Sequence, residues 1–440
     1  MKVICMITSW LENRAGGGYL MKSWIQKLSP ELLDSEFVDH PEQHVRFIVE
    51  MVAPEIRRVG PYVKANSGVI RRQFSRFPWT IIEMPYGALQ PLAMAPYVRR
   101  IWQDTKVKVL LDIAVATTGS SVGQGLGYTG KDITVAIIDT GIAPHPDLTS
   151  PQNRIIGWND LVNGRTSPYD DNGHGTHVAG IVAGNGWASR GKYTGMAPEA
   201  NLVGIKALDK EGTGNISDIL VAIEWCLEHQ SMYNIRVINL SLGAPAYQSA
   251  ANDPLCAAVR SAWDNGIVVC VAAGNDGPGA RTINTPGIEA KAITVGNLDD
   301  RGTVDPSDDI VNESSSVGPT IDNQVKPDLL APGTNIISLK PSGGYQTMTG
   351  TSMATPMVAG AVAQILQQKP GLKPEQVKRI LKQNARDMGL RSYIEGAGAL
   401  SVEKVFEEEA AESRGIIGWI VKILSRIPLF QPFLTRQPAI

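Results

Sequence analysis

Between Lys131 and about residue 405 the chain alternates apolar, β-branched runs with helical stretches. The runs are ITVAIID, NLVGIKAL, RVINLSL, GIVVCVAAG and AITVGNL. Runs of this composition suit strands covered on both faces. The stretches HGTHVAGIVAG, SDILVAIEWCLEHQ and DPLCAAVRSAWDNG separate them with helical patterning. Parallel strands need a crossover that carries the chain back, and a helix supplies it. The alternation therefore predicts an α/β fold, with a mostly parallel central sheet and helices on both faces. Reactive side chains in such sheets gather at the carboxyl ends of the strands.

The flanks differ from this pattern. In residues 1–118, TIIEMP (80–85) and KVKVLLDIAV (106–115) read as strands, with GALQPLAMAPYVRRI between them as a helix. That makes a small α+β region. ATTGSSVGQGLGYTG (116–130) reads as a Gly/Ser-rich link, which puts a boundary near residue 119. A second boundary falls near residue 406. In the tail 407–440, GIIGWIVKILSRI (415–427) gathers Gly418, Lys422, Ser425 and Arg426 on one helical face. It is too short to span a bilayer. Its amphipathic pattern suits either a membrane surface or a partner, or else docking on the protein itself.

Bulk features narrow the classes of function. A net charge of −2 carries no global basic field, which argues against nucleic acid. Cys5, Cys226, Cys256 and Cys270 show no CxxC spacing, so a zinc or redox pair is not expected. Buried free thiols fit a reducing compartment. The first residues lack the long apolar core of a secretory signal, and the expected location is the cytoplasm.

Three stretches end where a reactive group is useful. ITVAIIDTG closes an oily strand on Asp139, where a carboxylate is costly without a partner. DDNGHGTHVAG puts His174 at a helix start, and GTSMATPMVAG does the same for Ser352. Each has an ordinary reading: a turn-forming Asp, a helix cap at Ser352. Together, Asp, His and Ser are the set for nucleophilic hydrolysis, in which Asp orients, His takes the proton and Ser attacks. VVCVAAGNDGPG adds Asn275, whose amide can donate to an oxyanion alongside the Ser352 N–H. Metal and phosphate motifs fail on context. HGTH offers His174 and His177 without a third ligand, HPEQH (40–44) is equally thin, and GLGYTGKD (125–132) precedes its strand and carries Asp132 where Ser or Thr is needed.

In this order, these stretches resemble the subtilisin-like serine proteases, the subtilase family, with the nearest likeness to the bacterial intracellular AprX type. VAIIDTGI, HGTHVAG and GTSMATPMVAG carry the resemblance, supported by SLG (241–243), AAGND (272–276) and LAPG (330–333). It covers residues 128–402 and implies an endopeptidase acting on proteins through Asp139, His174 and Ser352, with Asn275 in the oxyanion hole. It further implies that Ser241, Leu242 and Gly243 pair with an extended substrate and that Ala273 and Gly274 form the other pocket wall. Glycine there leaves room for a large apolar side chain, so a broad, hydrophobic-leaning specificity is expected, with Asp276 at the rim. Met353 follows the nucleophile and is an oxidation liability. Residues 1–118 resemble a subtilase propeptide, above all in YVRRIWQDTKVKVLLD, which would inhibit the enzyme until cut between about Ala114 and Gly130. A catalytically silent peptide-binding module of the same fold is the alternative.

The chemistry needs no cofactor. The family often carries structural calcium, and Asp147 in HPDL matches one frequent ligand position. The following loop, GNGWASRGKYTG, lacks the Asn-rich pattern that would complete the site. NESSSVGPT puts Ser314 and Val317 where the family has Phe and Arg, a difference of local packing.

Overall fold

The structure is a computed structural model and describes residues 24–29, 32, 40–52, 59–104, 106–109 (backbone), 118–303 and 305–406. Residues 407–440, including the amphipathic stretch 415–427, lie outside the described residues, as does 110–117. No described helix is long and apolar enough to cross a membrane.

The N-terminal part contains β1 (His44–Met51), α1 (Val59–Ala65), β2 (Val69–Gln73), β3 (Trp79–Pro85), α2 (Leu89–Met94), β4 (Val98–Gln103) and β5 (Lys106–Val109). Strands β2-β3-β1-β4 form an antiparallel sheet in that order. Period-two alternation gives it two buried faces. Phe47, Val49, Ile82 and Met84 pack with α1 and α2, while Ile48, Trp79 and Ile81 pack toward the main domain. The expected helix over GALQPLAMAPYVRRI holds only for Leu89–Met94. After Pro96, whose ring blocks a helix, the chain becomes β4 and pairs with β1.

The main part continues with α3 (Ser120–Gly125), β6 (Thr134–Asp139), β7 (Ile155–Asp160), α4 (His174–Ala183), β8 (Asn201–Lys206), β9 (Thr213–Asn215), α5 (Ile216–Glu228), β10 (Ile235–Leu240), β11 (Leu242–Gly243), α6 (Pro254–Asp264), β12 (Val268–Ala272), β13 (Ile293–Asp299), β14 (Ile310–Val311), β15 (Leu329–Pro332), β16 (Ile336–Leu339), β17 (Tyr345–Met348), α7 (Thr351–Gln368) and α8 (Pro374–Asn384). The central sheet runs β14-β13-β12-β10-β6-β8-β7, with β15 also on β13; every pairing but β13–β14 is parallel. Strand β6 is buried at every position. Its Val135 and Ile137 pack against α4 and α7, and its Ala136 and Ile138 against α5 and α6. The expected helices on both faces are there.

Two further features depart from the sequence reading. The Gly/Ser-rich stretch, over its described residues 118–130, is packed rather than free. Gln124 donates to Gly195 O (2.9 Å), Val402 N donates to Thr118 O (3.1 Å), and a Cβ on Gly123 would lie 2.7 Å from the Phe406 ring. Its glycines serve close approach. Second, β7 was not expected, because it is an edge strand with interrupted burial.

The N-terminal sheet docks on α5 and α6. Phe74, Phe77, Trp79 and Trp102 join the cluster built on Ile216, Leu220 and Leu255. Asp104 accepts from Ser217 N (2.8 Å) and Ser217 Oγ (2.6 Å), satisfying a free donor in the first turn of α5, and pairs with Arg46 (3.1 Å). Glu224, in the middle of α5, accepts from Ser75 N (3.0 Å) and Arg76 N (2.9 Å). Strand β5 then lies antiparallel between β9 and β11.

Candidate active site

Asp139 is the last residue of β6, at the carboxyl end of the sheet, and His174 is the first of α4. Both are fully buried, and Asp139 Oδ1 lies 2.7 Å from His174 Nδ1. The same oxygen accepts from Thr140 N (2.7 Å). His174 starts its helix because Gly173, at φ +110°, takes a left-handed conformation in which a side chain would be strained.

Ser352 is the second residue of α7, which packs against α4, β6, β10 and β12. Pro356 lies one turn on and has no N–H, so the Ser352 carbonyl loses its helical partner. Ser241 Oγ supplies the replacement at 2.7 Å, while Ser352 Oγ donates to Ser241 O at 3.0 Å. One residue thus holds both the backbone and the hydroxyl of Ser352. Met353 beside it is fully buried.

Asn275 follows β12. Its Oδ1 accepts from both Thr351 N and Thr351 Oγ1, each at 3.0 Å. With the oxygen committed there, the Nδ2 donor is turned the other way. The Gly274 conformation at φ +112° sets this turn, and its walls are close: a Cβ would lie 2.6 Å from Asn284 Nδ2. A Cβ on Gly243 would lie 3.1 Å from Asn284 Cβ. Asn284 therefore sits between Gly243 and Ala273-Gly274. The sequence reading left it out.

Three further residues were missed. Asp170, buried, accepts from Thr140 Oγ1 (2.9 Å), Gly173 N (2.8 Å), Thr176 N (2.8 Å) and Thr176 Oγ1 (2.6 Å). Thr140 Oγ1 in turn accepts from Gly175 N (2.9 Å). Lys206, opposite Asp139 in the β6–β8 register, donates to Thr140 O (2.7 Å), Leu208 O (2.9 Å) and Asp171 (2.6 Å). These groups tie the end of β6 to the loop that enters α4. The doubled acid in DDNG and the Lys closing an apolar strand were the available signals.

His177, one turn further along α4, is held neutral by its surroundings. Burial, together with the neighbouring His174, holds its pKa down to about 3, and Nε2 faces Ile336 O at 3.0 Å. No group of three or more His, Cys, Asp or Glu suited to a metal exists among the described residues.

Packing here leaves no room at Gly175, where a Cβ would lie 2.1 Å from Gly141 O and 3.1 Å from Asp139 Oδ1. Gly175→Ala is expected to displace Asp139 from His174 and lower kcat/KM about 100-fold, the scale of a 1 Å misplacement. Peptide p-nitroanilide hydrolysis measures this; a near-UV circular dichroism spectrum like wild type shows that the fold survives.

Comparisons with known proteins identify the family. Residues 130–401 match the subtilase family, Peptidase_S8. The chain is 45% identical over 365 residues to Serine protease AprX of Bacillus subtilis (strain 168), covering 77% of this chain and 81% of that protein. It is 38% identical to Subtilisin DY of Bacillus licheniformis, over 64% of this chain and 93% of that protein. To the Alkaline protease of Alkalihalobacillus alcalophilus it is 33% identical, over 75% and 80%. The chain belongs to the subtilase family of serine proteases.

Proposed function

We propose that this protein is an autoprocessed endopeptidase in which Ser352 is the nucleophile, His174 the general base, Asp139 its orienting acid and Asn275 the oxyanion donor. The observation that carries this is the 2.7 Å contact from Asp139 to His174 Nδ1. An acceptor at Nδ1 puts the proton there and leaves Nε2 as the basic nitrogen. His174 then takes the Ser352 proton as Oγ attacks the peptide carbonyl. The resulting oxyanion is held by Asn275 Nδ2 and the Ser352 N–H. Collapse expels the amine, protonated by His174, and water hydrolyses the acyl-enzyme by the same steps. Labelling by a serine-directed phosphonylating reagent tests the reading: one adduct at Ser352 supports it, and an unreactive chain points to the silent peptide-binding module.

The binding mode is an added strand, in which main-chain hydrogen bonds supply affinity with little demand on sequence. β5 supports this, with Lys108 opposite Gly243 and Val109 opposite Leu242. In that register the next residue of a bound strand comes opposite Ser241, whose carbonyl accepts from Ser352 Oγ. The N-terminal region then acts as the enzyme's own inhibitor, cut close after Val109. The packing of residues 118–130 also favours a cut N-terminal to them, toward or before the start of the Ala114–Gly130 window.

Ser241, Leu242, Gly243, Ala273 and Gly274 bind the residue before the cut, with Asn284 closing the inner end of their pocket. Specificity is broad and hydrophobic-leaning, with medium side chains favoured over the large ones read from the glycines alone. Asn284→Gly is expected to raise kcat/KM for Phe relative to Leu at that position by about tenfold, within the range of one pocket contact. Matched peptide substrates measure it.

Inhibitor docking depends on pH through Asp104. Burial raises its pKa to about 6, against the donors at Ser217 and the Arg46 charge that lower it. A raised pKa favours the docked state at low pH, and this contribution is lost as pH rises from about 4 through 6. The cut N-terminal region should therefore dissociate faster at pH 7.5 than at pH 5, and Asp104→Asn should flatten that profile. Stopped-flow recovery of activity after cleavage measures both.

The buried, free Cys226, Cys256 and Cys270 support action in the reducing cytoplasm.

A further inference from the structure

Asp147 matches a frequent calcium-ligand position of the family, but the groups around it are donors. It is fully buried; Oδ1 accepts from Ala188 N (2.7 Å) and Oδ2 from Tyr345 OH (2.8 Å). Calcium takes six to eight oxygen lone pairs at about 2.3–2.6 Å. Here an N–H and a phenol present hydrogens to the carboxylate instead. The backbone carbonyls that converge nearby already have a cation. Arg154, 7% exposed, donates to Asp147 O, to Ala183 O (2.6 Å) and to Ala200 O (3.2 Å). A metal ion at this place would have to displace the guanidinium, the Tyr345 hydroxyl and the Ala188 N–H together. The residues do not fit calcium.

We propose that the Arg154 guanidinium is the resident cation of this node and anchors, without a metal, the loop 184–195 and the β16–β17 hairpin. The connections run outward from Asp147 and Arg154. Asn185 N donates to Asp147 O (3.1 Å), and Asn185 Nδ2 to Ser150 O (2.6 Å), fixing the start of the loop. Tyr345 opens β17, packs on Tyr193 of the loop at 4.5 Å between ring centres, and lies edge-on to His145 at 5.7 Å. Its neighbour Gln346 donates to Gly173 O (3.4 Å), at the cap of the helix that begins with His174. A covalently held cation cannot be removed by a chelator, so the node persists where a calcium-dependent loop would open.

Thermal unfolding of the full chain with and without EDTA, and terbium titration read by aromatic-sensitised luminescence, test the proposal. The expected results are a Tm unchanged by EDTA and no luminescence dependent on Asp147. Arg154→Met should lower Tm by about 5 °C or more, because the Ala183 and Ala200 carbonyls lose this donor and Asp147 O is left with Asn185 N. Added calcium should not restore it, and Arg154→Lys should recover part. Terbium luminescence, or an EDTA-induced fall in Tm, that disappears in Asp147→Asn overturns the proposal without need of the Arg154 variants. EDTA sensitivity that persists in Asp147→Asn belongs to another site. In that case Arg154→Met decides: a lowered Tm upholds the proposal and an unchanged one overturns it.

Discussion

Ser352→Ala is expected to lower kcat by roughly 10⁶-fold, the loss known for a subtilisin without its nucleophile rather than a figure drawn from this geometry. The variant should also remain full length, while wild type loses about 110 residues, as the β5 register implies. The neighbouring Ser241 offers no substitute, because its own Oγ is committed to the Ser352 carbonyl at 2.7 Å. Stability should scarcely change. Ser352 Oγ donates to Ser241 O, and a neutral bond contributes about 1 kcal/mol net. Intact mass, casein hydrolysis and Tm on the two proteins side by side check all three parts. A processed Ser352→Ala chain would remove Ser352 from the nucleophile's role. A wild type that is active but uncut would leave the nucleophile in place and remove the self-inhibitor reading.

Asn275→Ala should lower kcat by ~10²–10³, again the effect of removing one oxyanion donor from a subtilisin, with KM nearly unchanged. A donor aimed at charge that exists only in the transition state affects the rate and not ground-state binding. The alanine variant also deprives Thr351 N and Thr351 Oγ1 of their acceptor, so a loss of activity alone would be ambiguous. Asn275→Asp separates the two causes. The aspartate keeps an acceptor for both Thr351 donors but offers no N–H to the oxyanion, and it adds a negative charge where one develops. Its kcat should fall at least as far as that of the alanine variant. If the aspartate variant instead keeps wild-type turnover, Asn275 serves only to hold the start of α7, and the oxyanion donor must be sought elsewhere.

Much of this site was legible before any coordinates. Asp139, His174 and Ser352 stand at the edges of three strongly patterned elements, where a polar group after a buried run is conspicuous. The five β-branched runs became β6, β8, β10, β12 and β13 because strands covered on both faces leave an unbroken apolar signature. Edge strands do not. β7 alternates buried and exposed positions irregularly, and the β4 sequence reads as the continuation of a helix. The supporting residues were hidden for another reason. A turn-forming Asp and the buried Asp170, which collects donors from Thr140, Gly173 and Thr176, look the same in a sequence. Glycine was equally ambiguous. Gly123 and Gly125 suggested a flexible link, yet Gly123 is small because Phe406 lies against it.

By itself, then, the sequence determined the layered α/β framework, the family to which the chain belongs and the order of the candidate site residues. Burial pattern and residue type are local properties, and they survive reading one position at a time. Tertiary structure alone decided which groups meet. It set Ser241 against Ser352, Lys206 beside Asp139, Asn284 between the two glycine walls, and Arg154 among the carbonyls around Asp147. Most of these contacts join segments far apart in the chain, and a hydrogen bond or a cavity wall depends on tenths of an ångström that only the packed core sets.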